Sequence, residues 1–173
     1  MLKLFILLSE YASIGGHLDI MKVLIQHGAR LHETKRILDI SVSRGYDDIV
    51  DFVLSQEYVY FKDKEYALRE ATIEGHLCVL KTLISHGQSL PSTLLHIALS
   101  ETRLDIALLL LENGADVEGL DGDGNTPVDC SIPEDRSASE ELIGQYAEII
   151  RTLIKNGASS SLTYWGKKDF FEE

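Results

Sequence analysis

Gly75-His76-Leu77-Cys78-Val79-Leu80-Lys81-Thr82-Leu83-Ile84-Ser85-His86-Gly87 has four companions along the chain with their apolar positions in register. They run from Gly16 to Gly28, from Gly45 to Glu57, from Thr102 to Ala115 and from Tyr146 to Ala158. In the first of these, Leu18, Met21, Leu24 and Ile25 fall at i, i+3, i+6 and i+7, which draws one apolar stripe along a short helix. The closing Gly suits the left-handed residue that ends a helix. A second short apolar segment lies upstream of the phrase, as at Leu68–Ile73 and Leu94–Leu99, so each unit reads as two antiparallel helices. One such pair cannot bury both of its faces, and stacked pairs make a continuous core. Between Gly28, Glu57, Gly87, Gly114 and Gly157 the steps are 29, 30, 27 and 43 residues, the range of helical repeats.

The rest of the composition fits an array of this kind. The 173 residues carry 16 Lys plus Arg against 28 Asp plus Glu, a formal charge of −12. Residues 112–173 hold 14 acidic and 5 basic side chains, so the acid gathers in the last third, where a basic partner surface would fit best. No basic block offsets it, which speaks against nucleic acid as a partner. Two cysteines, Cys78 and Cys130, are too few for a disulfide framework and point to a reducing compartment, intracellular and expected to be the cytoplasm. The apolar run Leu4-Phe5-Ile6-Leu7-Leu8 stops at Ser9-Glu10, too short for a signal peptide or a membrane span.

Thr93-Leu94-Leu95-His96-Ile97-Ala98 resembles the T-P-L-H-x-A opening of ankyrin repeats, and Thr126-Pro127-Val128-Asp129-Cys130-Ser131 is a looser copy. Gly114-Ala115-Asp116-Val117 through Asp121-Gly122-Asp123-Gly124-Asn125-Thr126-Pro127 is similar to that family's full hairpin. The resemblance covers nearly the whole chain. It implies an all-α, ankyrin-like helical-repeat solenoid of about five helix pairs, with short or degenerate hairpins where the step falls below the family's 33 residues. Units of this length are similar to those in arrays of large DNA viruses and some intracellular bacteria. The expected units are 1–31, 32–60, 61–90, 91–122 and 123–158, the last carrying a ten-residue insertion near 132–141. Pro133 should stop the first helix of that unit, and Ser137 with Glu140 fits a capping box that starts the closing helix near Ala138 and lets it run to Lys155. The tail 159–173 reads as a degenerate hairpin, Gly166 at its turn and Phe170 and Phe171 over the last helix pair.

Candidate chemistry dissolves into the repeat. His17 and His76 are 59 residues apart, as are His27 and His86, which is the spacing of two units, so these four are repeat positions rather than a metal set. The resemblance assigns packing between units to His17 and His76, a hydrogen bond within the hairpin framework to His96 and helix capping to Thr93. Gly119, Gly122 and Gly124 lack the strand that a phosphate-binding fingerprint requires. Cys78 and Cys130 lie in packing helices with no base at hand and are expected to be small buried apolar residues. The chain is therefore expected to be no enzyme and to take no cofactor or metal. Glu57 stands where the other copies end in Gly, and a side chain held at positive φ there would cost about 1 kcal/mol.

What the resemblance leaves is a surface. In ankyrin arrays partner proteins dock on the concave face, made by the hairpin tips and the two variable residues before each Gly-His. In this sequence those are Ile14 and Gly15, Ser43 and Arg44, Ile73 and Glu74, and Ser100 and Glu101, with Asp123 and Asn125 on the full hairpin. Tyr58-Val59-Tyr60-Phe61 with Tyr66 places four of the thirteen aromatic residues within nine positions, and Tyr58 and Tyr60 are candidates either for the interface or for filling a shortened hairpin. The function expected is an intracellular protein–protein interaction module, a monomer that binds neither nucleic acid nor membrane. Two other readings stay open. One is a piece of a larger adaptor or host-targeting protein, suggested by the apolar start. The other is an enzyme built on Cys130.

Overall fold

The computed structural model describes residues 2–29, 34–56, 61–87, 89–131 and 139–158, with side chains omitted at the starts of the first, third and fifth helices. Among the described residues there are ten helices and no strand. The chain divides into two compact units, Met1–Leu90 and Pro91–Glu173. The first holds α1 (Leu2–Ile14), α2 (Leu18–Gln26), α3 (Thr34–Ser43), α4 (Asp47–Leu54), α5 (Phe61–Glu74) and α6 (Leu77–Ser85). The second holds α7 (Leu94–Ser100), α8 (Leu104–Glu112), α9 (Pro127–Cys130) and α10 (Glu140–Lys155).

Both kinds of helix end by one device. At the close of α1 the His17 amide donates to the Ala12 carbonyl at 2.8 Å and the Gly16 amide to the Ser13 carbonyl at 3.2 Å. This is the doubled bond of a left-handed helix stop, which satisfies carbonyls left over at the C-terminus. The pattern recurs after α3, α5 and α7, and after α2, α8 and α10 at Gly28, Gly114 and Gly157. Glycine occupies the left-handed position at each of these stops except the one after α7, where Thr102 takes φ 55°. Glu57, the other departure expected from the sequence, lies outside the described residues.

Within Met1–Leu90, α1 packs on α2 and α3, α3 on α4 and α5, and α5 and α4 on α6. Leu38, Ile49, Leu68, Leu80 and Leu83 are buried at its centre. Each such side chain removed from water stabilises the fold by roughly 1.5–3 kcal/mol before entropy is counted. Buried hydroxyls turn back on their own helices: Ser41 donates to the Ile37 carbonyl at 2.8 Å and Thr72 to the Leu68 carbonyl at 2.8 Å. Within Pro91–Glu173, α7 packs on α8 and α9, and α10 on α8 and α9, around Leu94, Leu95, Leu99, Ile106, Leu110 and Ile149.

Local details depart from expectation. The helix α10 starts at Glu140, two residues after the expected Ala138, because Ser139 is its N-cap and accepts from the Leu142 amide at 3.3 Å; Ser137, Pro133 and the tail with Gly166, Phe170 and Phe171 lie outside the described residues. Thr93 does not cap α7 with its side chain, because its backbone is already helical (ψ −6°). Thr126 does cap α9. A residue before proline is pushed to extended backbone, here ψ 164°, which is N-cap geometry. Cys78 is exposed rather than buried, and Cys130 is half-buried.

Candidate partner-binding face

The rings that follow the stops after α3 and α5 each join their helix pair to the preceding one within Met1–Leu90. His76 Nε2 donates to the Ser43 carbonyl at 3.1 Å, which fixes its tautomer. Its ring lies so close to Gly45 that a Cβ there would sit 2.8 Å from Nδ1. Tyr46 stands on Gly16 in the same way, with a Cβ to ring distance of 3.0 Å. Glycine at these two stops therefore meets two needs, a positive φ and room for a ring. A further tie joins the second helices, where His86 Nε2 meets Asp51 Oδ1 at 2.8 Å. These joints hold α1, α3 and α5 at fixed spacing. Ile14, Ser43 and Ile73 then stand in one row, since the repeat steps here are 29 and 30 residues.

That row and the residues one and two turns earlier form the exposed face of the first helices. It contains Leu7, Tyr11 and Ile14 on α1, Arg36 and Ser43 on α3 with Arg44 just past its end, and Tyr66, Ile73 and Glu74 on α5, all exposed. Tyr11 is 62% and Tyr66 47% exposed, large values for rings of that size. Arg36 Nε lies 3.4 Å from Glu10, and Lys35 Nζ stands 5.9 Å from the Tyr66 ring centroid. The Glu70 carboxylate and partial burial hold the Tyr66 hydroxyl above its ordinary pKa, so it is a neutral hydrogen-bond donor at physiological pH. Tyr11 was not among the sequence candidates. It lies three residues before Ile14 on the same helical face, so the variable position itself carries the signal.

In Pro91–Glu173 the candidates separate. Ser100, Glu101 and Asp123 are exposed. Asn125 is half-buried and engaged in the hairpin: its carbonyl accepts from His96 Nε2 at 3.0 Å, and its side chain donates to Asp121 Oδ2 at 3.1 Å. Asp121 also accepts from the amides of Asn125 at 2.8 Å and Asp123 at 2.9 Å. These bonds, the Asn125 amide first, hold its carboxyl below the ordinary carboxylate range against the opposing effect of burial. Thr126 and Asp129 complete a reciprocal cap. Tyr58 and Tyr60 lie outside the described residues.

The catalytic possibility at Cys130 weakens on chemical grounds. Burial, followed by the charges of Asp121 and Asp129, pushes its thiol up to about 11. Only roughly one molecule in ten thousand would then carry the nucleophilic thiolate at pH 7. Among the described residues no three His, Cys, Asp or Glu side chains gather as a metal site, and no helix is long and apolar enough to cross a membrane.

Comparison with known proteins agrees with this geometry. The sequence model of the family described as ankyrin repeats (3 copies) matches residues 38–121 and, in a second match, 68–164. Protein phosphatase 1 regulatory subunit 27 from Homo sapiens and its counterpart from Mus musculus are each 35% identical over 84 residues, 45% of this chain and 54% of theirs. The chain thus matches about half the length of these curated relatives.

Proposed function

Because this chain belongs to the ankyrin-repeat family, we propose that it is a non-enzymatic binding module that holds a partner protein on the face lined by α1, α3 and α5. The exposed pair Tyr11 and Tyr66 carries the reading. Tyrosine buries large area at low rotamer cost and is enriched where binding energy concentrates. The surrounding Ile14, Ser43, Arg44, Ile73 and Glu74 mix apolar and both charge types, which fits a protein surface better than a polyanion. Fixed helix spacing keeps the ordering cost of binding low. Sparse cysteine supports an intracellular setting, with the cytoplasm as the working assignment.

The names of the two relatives describe regulatory subunits of protein phosphatase 1, so the catalytic subunit of that phosphatase is the first purified partner to titrate. Affinity capture compares the intact chain with a variant carrying Tyr11→Ala, Arg44→Ala, Tyr66→Ala and Glu74→Ala. Loss of a specifically retained protein, with helicity and melting unchanged, supports the reading. Retention of the same proteins by the variant overturns it.

A further inference from the structure

The helix pair at the middle of Met1–Leu90, α3 with α4, separates its charges by helix. Lys35 and Arg36 on α3 and Arg44 just past its end are exposed cations, whereas α4 exposes Asp47, Asp48 and Asp51. The one anion of α3, Asp39, is half-buried. From α1 comes Glu10, which is buried and tied to Arg36. Exposed positive charge thus stands on the helix that carries the docking face, in a chain whose net charge is −12. Acid on the other helix of the pair repels an anionic partner there, so the local field orients such a partner as well as attracting it. Two of the cations keep bonding capacity. The contact of Arg36 with Glu10 uses Nε at 3.4 Å, and its side chain is 64% exposed, with the Nη donors left for a carboxylate. Arg44 makes no side-chain bond among the described residues.

Taking the face of α1, α3 and α5 as the docking surface, on which this step rests, we infer that its α1 and α3 half receives an acidic polypeptide segment. Carboxylates of that segment meet Arg36 and Arg44, and an apolar side chain between them lies against Tyr11 and Ile14. Arg36 and Arg44 are separated by about 12 Å along the helix direction. Two acidic residues four positions apart in an extended peptide are separated by about 13 Å, so one stretch of peptide reaches both. Tyr11 and Ile14 are exposed on α1, which packs directly on α3, and they offer apolar area to the residues between the carboxylates. Nucleic acid fits this half less well. Its backbone carries a charge at every nucleotide and meets Asp39 between Arg36 and Ser43, whereas a peptide can set an uncharged residue there. On α5 the charges are mixed, with Glu65, Arg69 and Glu74 exposed and Glu70 half-buried, so the selection by charge belongs to the α3 side.

Fluorescence anisotropy of the full chain with a labelled peptide of three Glu-Gly-Phe-Gly repeats tests it. The comparison probes are the same peptide with Gln for Glu and a single-stranded oligothymidine of about 12 nucleotides. The Glu peptide should bind with a Kd on the order of 0.1 mM and weaken about fivefold between about 50 mM and about 300 mM salt. The Gln peptide and the oligothymidine should each bind at least tenfold more weakly. Arg44→Glu should weaken the Glu peptide at least tenfold with unchanged circular dichroism, because the side chain is exposed. Lys81→Glu, an equal change of charge on α6, should alter it less than twofold. Absence of binding up to about 1 mM, equal binding of the Glu and Gln peptides, tighter binding of the oligothymidine, or equal losses from the two variants would each overturn the acidic assignment. Those results leave the docking face itself standing, since that reading fails only when a captured partner survives the tyrosine substitutions.

Discussion

Met1–Leu90 and Pro91–Glu173 are built from the same repeat but secure it differently. In the first unit a ring seated on a glycine links consecutive pairs, His76 on Gly45 and Tyr46 on Gly16. In the second unit the stop after α7 is Thr102, and the corresponding ring belongs to Tyr146 inside α10, whose hydroxyl lies 3.5 Å from the Leu99 carbonyl. The second unit adds what the first lacks among the described residues: a hairpin in which Asp121, Asn125 and His96 tie the turn to α7, and Thr126 with Asp129 caps α9. A joint made by close packing depends on the absence of a Cβ, and a joint made by hydrogen bonds depends on charge. The two units should fail under different insults.

Gly45→Ala should have the largest effect. It combines strain at φ 75° with a Cβ 2.8 Å from the His76 ring, and a loss of about 3 kcal/mol is expected in urea denaturation. Gly28→Ala is its control, with φ 88° but open space around the site, and should cost only about 1 kcal/mol. Equal losses would show that the ring contributes nothing. In the second unit Thr102→Gly should raise stability by about 1 kcal/mol, because a β-branched residue at φ 55° is strained. An unchanged denaturation midpoint would place the strain elsewhere.

An effect of similar size concerns acid. The folded pKa of Asp121 lies below its ordinary 3.8, so its contribution is present above that value and is lost as pH falls through the folded pKa. Asp121→Asn should therefore be about 1 kcal/mol less stable than the parent at pH 7, with the gap closing below pH 3.8. A gap that persists in acid would mean that the bonds to the turn amides do not depend on the charge.

The helix pairs were legible because their glycines and apolar residues recur in register, and an error at one copy is corrected by the others. Cys78 shows the signal that was present and not used. Its counterparts are Asp19, Asp48 and Asp105, polar positions on the outer side of the second helices, and the structure leaves Cys78 exposed like them. Caps were less legible, since Thr93 and Thr126 look alike until the following residue is considered; only Thr126 precedes a proline that sets its backbone. Ser137 and Ser139 both offer a capping hydroxyl, and nothing local in sequence chooses between them. On the candidate face, the pair before each Gly-His marked Ile14, Ser43 and Ile73, but a surface spans several turns of helix. Tyr11 and Leu7 enter it only when α1 is seen as a solid body.

The central claim is that a protein partner binds the face of α1, α3 and α5. Its most direct test is the affinity of a captured partner for the intact chain, for Tyr11→Ala with Tyr66→Ala, and for a control with Lys81→Ala and Ser85→Ala on the far side of α6. The account predicts at least a tenfold weaker complex for the tyrosine variant and no change for the control, each with parental melting. Unchanged affinity in the tyrosine variant, or a loss confined to the α6 variant, would contradict it.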